Sequence, residues 1–166
     1  PIVLAFVNDP SIERANLSSV RFALSGAAPL SSELQSQFEK KTQIQCNKGY
    51  GLTETSPLTN GDYLESHLSK QGSIGPAVPD TEEMIVDLDT GINQLDSGQI
   101  GELIIRGPQV MKGYWNNVEA TAETIRNGWL YTGDIAYMDK EGWVYIVDRK
   151  KEMIKFKGFQ VAPAEL

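Results

Sequence analysis

The stretch VRFALSGAAPLSSELQSQFEKKTQIQCN, residues 20–47, sets the expected fold class. It opens with an apolar segment at 20–24 that is typical of a short buried strand, and a loop of small residues follows. Ser31 has the hydroxyl that favours a helix N-cap, and we expect the helix to run to about Lys41. A second strand is expected at 44–47. This order of strand, loop, helix and strand predicts an α/β fold with a parallel sheet.

The second half of the chain has a different pattern, in which short β segments alternate with turn residues from Gly72 onward. The pattern predicts strands at 83–87, 101–107 and 142–147 and a short helix at 119–125. These segments indicate a compact and mostly antiparallel β region.

We therefore expect three parts along the chain. Residues 1–95 would be the C-terminal part of an α/β subdomain, and residues 96–147 a small, antiparallel, barrel-like β subdomain. Residues 148–166 would be a hinge and the start of a truncated C-terminal lid. Because the sequence has no initiator Met and stops within a pattern, we expect a fragment of a longer protein.

Composition excludes several classes of function. A formal net charge of −7 argues against a general nucleic-acid binder that works through backbone phosphates. One cysteine, Cys46, and one histidine, His67, allow no internal disulfide and no zinc site, and within this chain they make no Ser-His-Asp or Cys-His set. The single cysteine fits a reducing compartment. No run of eighteen apolar residues occurs, so we expect no membrane span.

Two loops that follow predicted strands are candidate ligand sites, because ligands in such sheets sit at the carboxyl ends of strands. In the first loop, Gly26, Ala27 and Ala28 would let a flat ligand approach the backbone closely; the alternative is that small residues only permit close helix packing. The second loop, at 49–55, has the sequence GYGLTET.

In this second loop Tyr50 offers an aromatic face for a base and Thr53 a hydroxyl for a phosphate. Glu54 offers an oxygen ligand for Mg²⁺. The alternative interpretation is a plain turn built around two glycines.

A third candidate is the polar segment YTGD at 131–134, which we predict to be a turn between two apolar segments. The Asp134 carboxylate could accept hydrogen bonds from a ribose diol, and Arg149 could hold the same ligand by charge. The basic segment at 148–157, which contains Arg149, has a simpler interpretation as a solvated strand or loop.

Four separated stretches, in order and at matching spacing, resemble one family. They are SGAAPL at 25–30, YGLTE at 50–54, GEL at 101–103 with GP at 107–108 and GY at 113–114, and YTGD at 131–134 continuing to KGFQ at 157–160. The chain resembles the adenylate-forming enzymes, which include acyl-CoA synthetases, 4-coumarate-CoA ligases, beetle luciferases and peptide-synthetase adenylation domains. The segment KFKGFQVAPAEL at 155–166 favours the 4-coumarate-CoA ligase and luciferase branch.

The resemblance implies a two-step reaction. A small-molecule carboxylic acid attacks the α-phosphate of ATP and gives an acyl-adenylate and pyrophosphate, and the thiol of CoA then takes the acyl group. The cofactors and substrates implied are therefore ATP, Mg²⁺ and CoA. A cytoplasmic or peroxisomal location is expected.

The resemblance also implies roles for individual residues. Thr53 would contact phosphate and Glu54 would bind Mg²⁺, while Asp134 would bind the ribose hydroxyls with Arg149 beside it. The adenine would lie between the loop residues Gly26, Ala27, Ala28, Tyr50 and Gly51. Farther along the chain the resemblance implies a hinge at Lys151 and a face for the second half-reaction at Lys155 and Gln160.

Two signatures of the family are absent from these residues: the Ser/Thr/Gly-rich phosphate loop and the C-terminal lysine that contacts the α-phosphate. We therefore expect the isolated chain to be inactive or nearly so, because each such contact stabilises the transition state substantially. The alternatives are a nucleotide-binding module without catalysis, a luciferase-type enzyme, or a peptide-synthetase adenylation enzyme.

Overall fold

The computed structural model describes residues 2–26, 30–62 and 69–150, together with the backbone of two short strands farther along. The α-helices are α1 (Ile2–Asn8), α2 (Ser32–Thr42) and α3 (Val118–Thr124). The strands are β1 (Phe22–Ser25), β2 (Gln45–Gly51), β3 (Leu58–Gly61), β4 (Glu82–Val86), β5 (Gly101–Arg106), β6 (Ile125–Arg126), β7 (Trp129–Met138), β8 (Val144–Arg149), β9 (Ile154–Phe156) and β10 (Phe159–Val161). Single 3₁₀ turns occur at Pro10–Arg14 and Thr53–Thr55.

The predicted order of strand, helix and parallel strand is confirmed, but the expectation of a buried first strand is wrong, because no residue of β1 is buried and Leu24 is 54% exposed. β1 and β2 pair in parallel, with Phe22 opposite Gln45, and α2 connects them. The Ser31 hydroxyl accepts a hydrogen bond from the Leu34 amide at 3.2 Å, as expected of an N-cap. The helix ends where Gln43 adopts a left-handed conformation.

A small apolar core lies beneath α2. Phe38, Ile44 and Cys46 are buried in it, and α1 covers them from the side. The Phe6 and Phe38 rings pack with their centroids 5.9 Å apart.

The prediction of a loop at 49–55 is partly wrong, because β2 continues through Gly51 and pairs antiparallel with β3. We did not predict β3. The glycines indicate a turn from the sequence, yet Gly51 serves a close approach of two strands: a Cβ at this position would collide with the Pro57 carbonyl. The 3₁₀ turn begins only at Thr53.

The predicted antiparallel β region is confirmed as a curled sheet with the order β4-β5-β7-β6, and β8 pairs with the far half of β7. Its core contains Ile85, Leu103, Ile105, Ala136 and Val144, and the Tyr50 ring packs against this core from the end of β2. β4 and β8 belong to the same sheet as β5 and β7; the three-part division of the chain stays a prediction.

The prediction of a turn at 131–134 is wrong, because these residues lie inside β7. The register against β5 shifts here, so that Leu103 alone lies opposite residues 132–134. Gly133 has φ +72°, a left-handed conformation that glycine adopts without strain. A β-bulge uses the same residue types as a turn, which is why the sequence pattern indicated one.

No helix in the described part of the chain is long and apolar enough to cross a lipid bilayer.

Candidate functional site

Three of the predicted residues meet at one carboxylate. Asp134 is 2% exposed, and its Oδ2 accepts a hydrogen bond of 2.5 Å from the Tyr50 hydroxyl. Its Oδ1 lies 2.9 Å from Nε of Arg149. The sequence separates these residues widely, and the pairing of β7 with β8 and the packing of Tyr50 on the β core bring them together.

The bulge in β7 sets the direction of Asp134. The Thr132 hydroxyl accepts a hydrogen bond from the Asp134 amide at 3.0 Å and donates to the Leu103 carbonyl at 2.7 Å. The Gly133 amide donates to Oε1 of Glu102 at 3.1 Å. Two neighbouring side chains, one on each strand, therefore hold the bulge in a single shape.

Its surroundings keep the Tyr50 hydroxyl protonated, so that it can donate its hydrogen bond to Asp134. Burial raises the pKa of Tyr50 well above its usual range, and the negative charge of Asp134 and the hydrogen bond to it raise that pKa further. The phenol is therefore protonated at neutral pH.

Both oxygens of Asp134 are engaged, but a carboxylate has about four lone-pair positions in all. A ribose hydroxyl could bind by sharing an oxygen with Tyr50 or Arg149, or by replacing one of them. The Arg149 side chain is 59% exposed and so remains within reach of a solvent-borne ligand.

The predicted phosphate and Mg²⁺ residues lie just beyond the end of β2. Thr53 is exposed and Glu54 is half-buried in the 3₁₀ turn. The Tyr114 hydroxyl donates to Oε1 of Glu54 at 2.6 Å, and the Met111 amide donates to the Glu54 carbonyl at 2.7 Å. Glu54 is thus tied to the loop between β5 and α3 by both its side chain and its backbone.

The described side chains fit Mg²⁺ only as an ion that is also bound to the phosphates of a nucleotide. Within residues 2–26, 30–62 and 69–150, no group of three or more His, Cys, Asp or Glu side chains could hold a metal ion. Glu54 supplies one carboxylate. Mg²⁺ commonly binds through one or two carboxylates, several waters and substrate phosphates, and a single Glu is sufficient for that arrangement.

We predicted that a flat ligand would approach the backbone closely at Gly26, and this stays a prediction; the close approach that the structure shows here is between Gly26 and β2. A Cβ on Gly26 would lie 3.2 Å from the Gly49 carbonyl oxygen, so the loop after β1 runs directly beside the end of β2. Gly51 lies one residue beyond Tyr50 on the same strand. Ala27 and Ala28 lie outside the described residues.

The predicted residues of the hinge and lid are only partly described. Lys151 lies outside the described residues. Lys155 and Gln160 lie opposite each other in the antiparallel pair of β9 and β10, so the backbone places them together. This pairing is compatible with a shared face, which stays a prediction.

Thr132, Tyr114 and Glu102 are site residues that sequence reasoning missed. Glu102 and Tyr114 lay within stretches that matched the family, but no role was assigned to them. Thr132 lay within the segment interpreted as a turn. The position of Glu102 directly before the apolar residues 103–105 was a signal that could have pointed to a buried carboxylate with a partner.

The comparisons with known proteins agree with this geometry. The family model described as AMP-binding enzyme matches residues 1–115. The chain is 50% identical to 4-coumarate–CoA ligase 2 of Oryza sativa subsp. japonica and 48% identical to 4-coumarate–CoA ligase 3 of Arabidopsis thaliana, in each case over 100% of this chain and 30% of the relative. The chain thus spans about a third of the length of the curated relatives that it matches.

Solved structures give the same result. ATP-bound MatB from Rhodopseudomonas palustris matches with a TM-score of 0.88 and 31% identity, over 98% of this chain and 32% of that chain. The anthranilate CoA ligase AuaEII in complex with anthranoyl-AMP matches with a TM-score of 0.85 and 28% identity, over 98% of this chain and 31% of that chain. Because the family model matches residues 1–115, which is more than half of the chain, the chain belongs to the AMP-binding enzyme family.

Proposed function

We propose that this chain is part of an ATP-dependent carboxylate–CoA ligase. The observation that carries the proposal is the hydrogen-bonded group of Tyr50, Asp134 and Arg149, in which a buried carboxylate, a phenol and a guanidinium meet beside the ends of β1 and β2. Relatives over the whole chain carry the name 4-coumarate–CoA ligase, which supports a ligase that uses CoA.

In the first half-reaction the nucleotide would lie across the ends of β1 and β2. Asp134 and Arg149 would hold the ribose, and Gly26 and Tyr50 would leave a flat space for the adenine. Such a reaction depends more on positioning and charge neutralisation than on an acid or base. This fits a site in which Asp134 and Glu54 are held by hydrogen bonds from the Tyr50 and Tyr114 hydroxyls.

The bond changes follow from this position. A carboxylate oxygen of the acid attacks the α-phosphorus of ATP, the new P–O bond gives the acyl-adenylate, and the bond to the β-phosphate breaks to release pyrophosphate. Thr53 is exposed just beyond the end of β2, and its hydroxyl would donate a hydrogen bond to a phosphate oxygen. Glu54 would hold Mg²⁺, which when bound supplies neutralisation of phosphate charge.

The second half-reaction transfers the acyl group to CoA. The thiol gives its proton to solvent, its sulfur bonds to the acyl carbon, the bond from that carbon to the AMP oxygen breaks, and AMP leaves. We propose that Lys155 and Gln160 serve this step and that Lys151 is the pivot about which the C-terminal lid turns between the two half-reactions. We propose further that the isolated chain is inactive, because its relatives are about three times as long.

The test of the proposal is pyrophosphate release by the full-length protein that contains this chain, measured with ATP, Mg²⁺ and a panel of hydroxycinnamic, benzoic and fatty acids. We expect release with at least one acid and a matching acyl-CoA when CoA is added. Release without any thioester would point instead to a luciferase-type or peptide-synthetase enzyme. Absence of ATP-dependent release with every acid would leave only a nucleotide-binding module.

A further inference from the structure

A second buried carboxylate lies one strand away from Asp134 and belongs to Glu102. Glu102 is 4% exposed on β5, a strand whose other residues from Gly101 to Ile105 are apolar or glycine and equally buried. Its Oε1 accepts a hydrogen bond from the Gly133 amide at 3.1 Å. Its Oε2 lies 2.6 Å from Nζ of Lys150.

The backbone closes this arrangement into a ring. The Lys150 amide donates to the Gly133 carbonyl at 2.8 Å, so both backbone groups of Gly133 are engaged, one by Glu102 and one by Lys150. One residue on β5, one on β7 and one directly after β8 are therefore joined by three hydrogen bonds.

Two members of this ring are direct sequence neighbours of residues in the candidate nucleotide site. Gly133 precedes Asp134, and Lys150 follows Arg149. Asp134 and Arg149 are also directly opposite each other in the register of β7 and β8. A change in the ring would therefore alter the relative position of the carboxylate and the guanidinium that form the site.

Charge explains why the ring needs all its members. A buried carboxylate is costly unless it is paired and hydrogen-bonded, and breaking such a pair on one side leaves an uncompensated charge. The Lys150 side chain is 44% exposed, so its ammonium gives up only part of its hydration to reach Glu102. Without Lys150, only one of the two hydrogen bonds described for Glu102 would remain, the one from the Gly133 amide.

We propose that Glu102 is a positioning residue of the nucleotide site, which with Lys150 fixes the β7 bulge and so the separation of Asp134 from Arg149. The nucleotide part of this proposal rests on the proposed function. Glu102 and Lys150 need not touch the nucleotide. They act through the two residues that do.

The variants are Lys150→Met, which removes the charge and keeps the length, Lys150→Arg, which keeps the charge, Glu102→Gln, and the double variant. Glu82→Gln is the matched control, because Glu82 forms an exposed ion pair with Arg106 within the same sheet. All are made in the full-length protein. ATP affinity is measured by calorimetry, and amide exchange is followed by mass spectrometry over the β7 segment that contains Gly133.

Lys150→Met and Glu102→Gln should each weaken ATP binding by about tenfold, because small displacements of positioning groups have effects of this size or larger. The double variant should be no weaker than the weaker single variant, since both remove the same interaction. Lys150→Arg should stay within about threefold of the parent, and Glu82→Gln should be unchanged.

Two results of the affinity measurements would overturn the proposal. One is a lower melting temperature in Lys150→Met and Glu102→Gln with ATP affinity within about twofold of the parent, which is what a purely structural ion pair predicts. The other is additive loss of affinity in the double variant.

The amide-exchange measurement separates this proposal from the proposed function. If the parent protein itself binds no ATP, the proposed function fails. Amide exchange at Gly133 then still tests whether Glu102 and Lys150 hold the β7 bulge. Faster exchange at Gly133 in Lys150→Met but not in Glu82→Gln supports the ring, and unchanged exchange overturns it.

Discussion

Tyr50 and Asp134 show how a single side-chain pair joins the two halves of the chain. Tyr50 is at the end of a strand in the parallel unit, and Asp134 lies in the antiparallel sheet. A hydrogen bond to a charged group contributes more than a neutral one, about 1.5–3 against 0.5–1.5 kcal/mol. The contact therefore both connects the halves and orients the carboxylate.

Tyr50→Phe should lower the free energy of unfolding by about 2 kcal/mol, because the buried carboxylate loses one of its two side-chain donors while the ring packing stays. Tyr131→Phe is the matched control: its hydroxyl donates to the neutral Gly91 carbonyl at 2.8 Å, and the expected loss is about 1 kcal/mol. Denaturant titration of both variants measures the difference. Equal losses would show that the charge of Asp134 adds nothing to the Tyr50 contact.

Glu83 predicts a pH effect of defined sign. Burial raises the pKa of Glu83 to about 7, although the hydrogen bond from Asn60 acts in the opposite direction. Because the folded protein then binds this proton more tightly than the unfolded chain, stability falls as pH rises from about 4.5 to about 7. Above that range the cost of the buried charge is fully present.

Glu83→Gln should therefore gain stability over the parent between pH 5 and pH 8, on the order of 2 kcal/mol, because the amide can still accept from Asn60 without charge. Melting temperatures at both pH values measure it. Glu82→Gln is the control with opposite sign, since the ion pair with Arg106 lowers the pKa of that exposed carboxyl. A Glu83→Gln profile parallel to that of the parent would contradict the assignment.

At the scale of elements, the bulge in β7 and the extension of β2 mark where sequence reasoning failed. Apolar spacing and the Ser31 cap were sufficient to predict α2 and its flanking strands, because those signals are local. Gly51 and Gly133 are also visible in the sequence. Whether a glycine ends a strand or lets it bulge depends on the neighbouring strand, and β3 and β5 are distant in sequence.

Gly133→Ala tests the bulge directly. Gly133 and Gly128 both have positive φ, +72° and +80°, and a Cβ at either position meets nothing within 4 Å. Backbone strain alone predicts a similar loss of about 1 kcal/mol for alanine at both sites. Only Gly133→Ala should also weaken ATP binding, because it adjoins Asp134. Equal ATP affinity in the two variants would show that the bulge does not orient the site.

At the scale of the whole molecule, the fold class could be predicted from the sequence because the pattern changes from α/β to β alternation along the chain. The candidate site could be predicted only in part. Residue types and their positions already suggested Tyr50, Asp134 and Arg149 as ligand-binding residues, the resemblance implied roles for them, and the structure brings them together. The supporting residues Thr132, Glu102 and Tyr114 could not be assigned roles, because their roles come from contacts between distant strands.

A proposed rotation about Lys151 gives a further prediction at this scale. Lys151→Pro would fix φ at the pivot and restrict the turning of the C-terminal lid between the two half-reactions. We expect acyl-adenylate formation close to that of the parent and a large loss of thioester formation, measured as separate half-reactions in the full-length protein. Equal loss of both half-reactions would contradict a pivot at this residue.

The central claim is that Asp134, held by Tyr50 and Arg149, binds the nucleotide. Calorimetric titration of ATP into the full-length protein and its Asp134→Ala variant tests this claim most directly. Asp139→Ala serves as the control, because Asp139 is an ion-paired carboxylate in the turn between β7 and β8. We predict at least about tenfold weaker ATP binding for Asp134→Ala, the loss expected for charged hydrogen bonds, and no change for Asp139→Ala. An ATP dissociation constant within about twofold of the parent for Asp134→Ala would contradict the account.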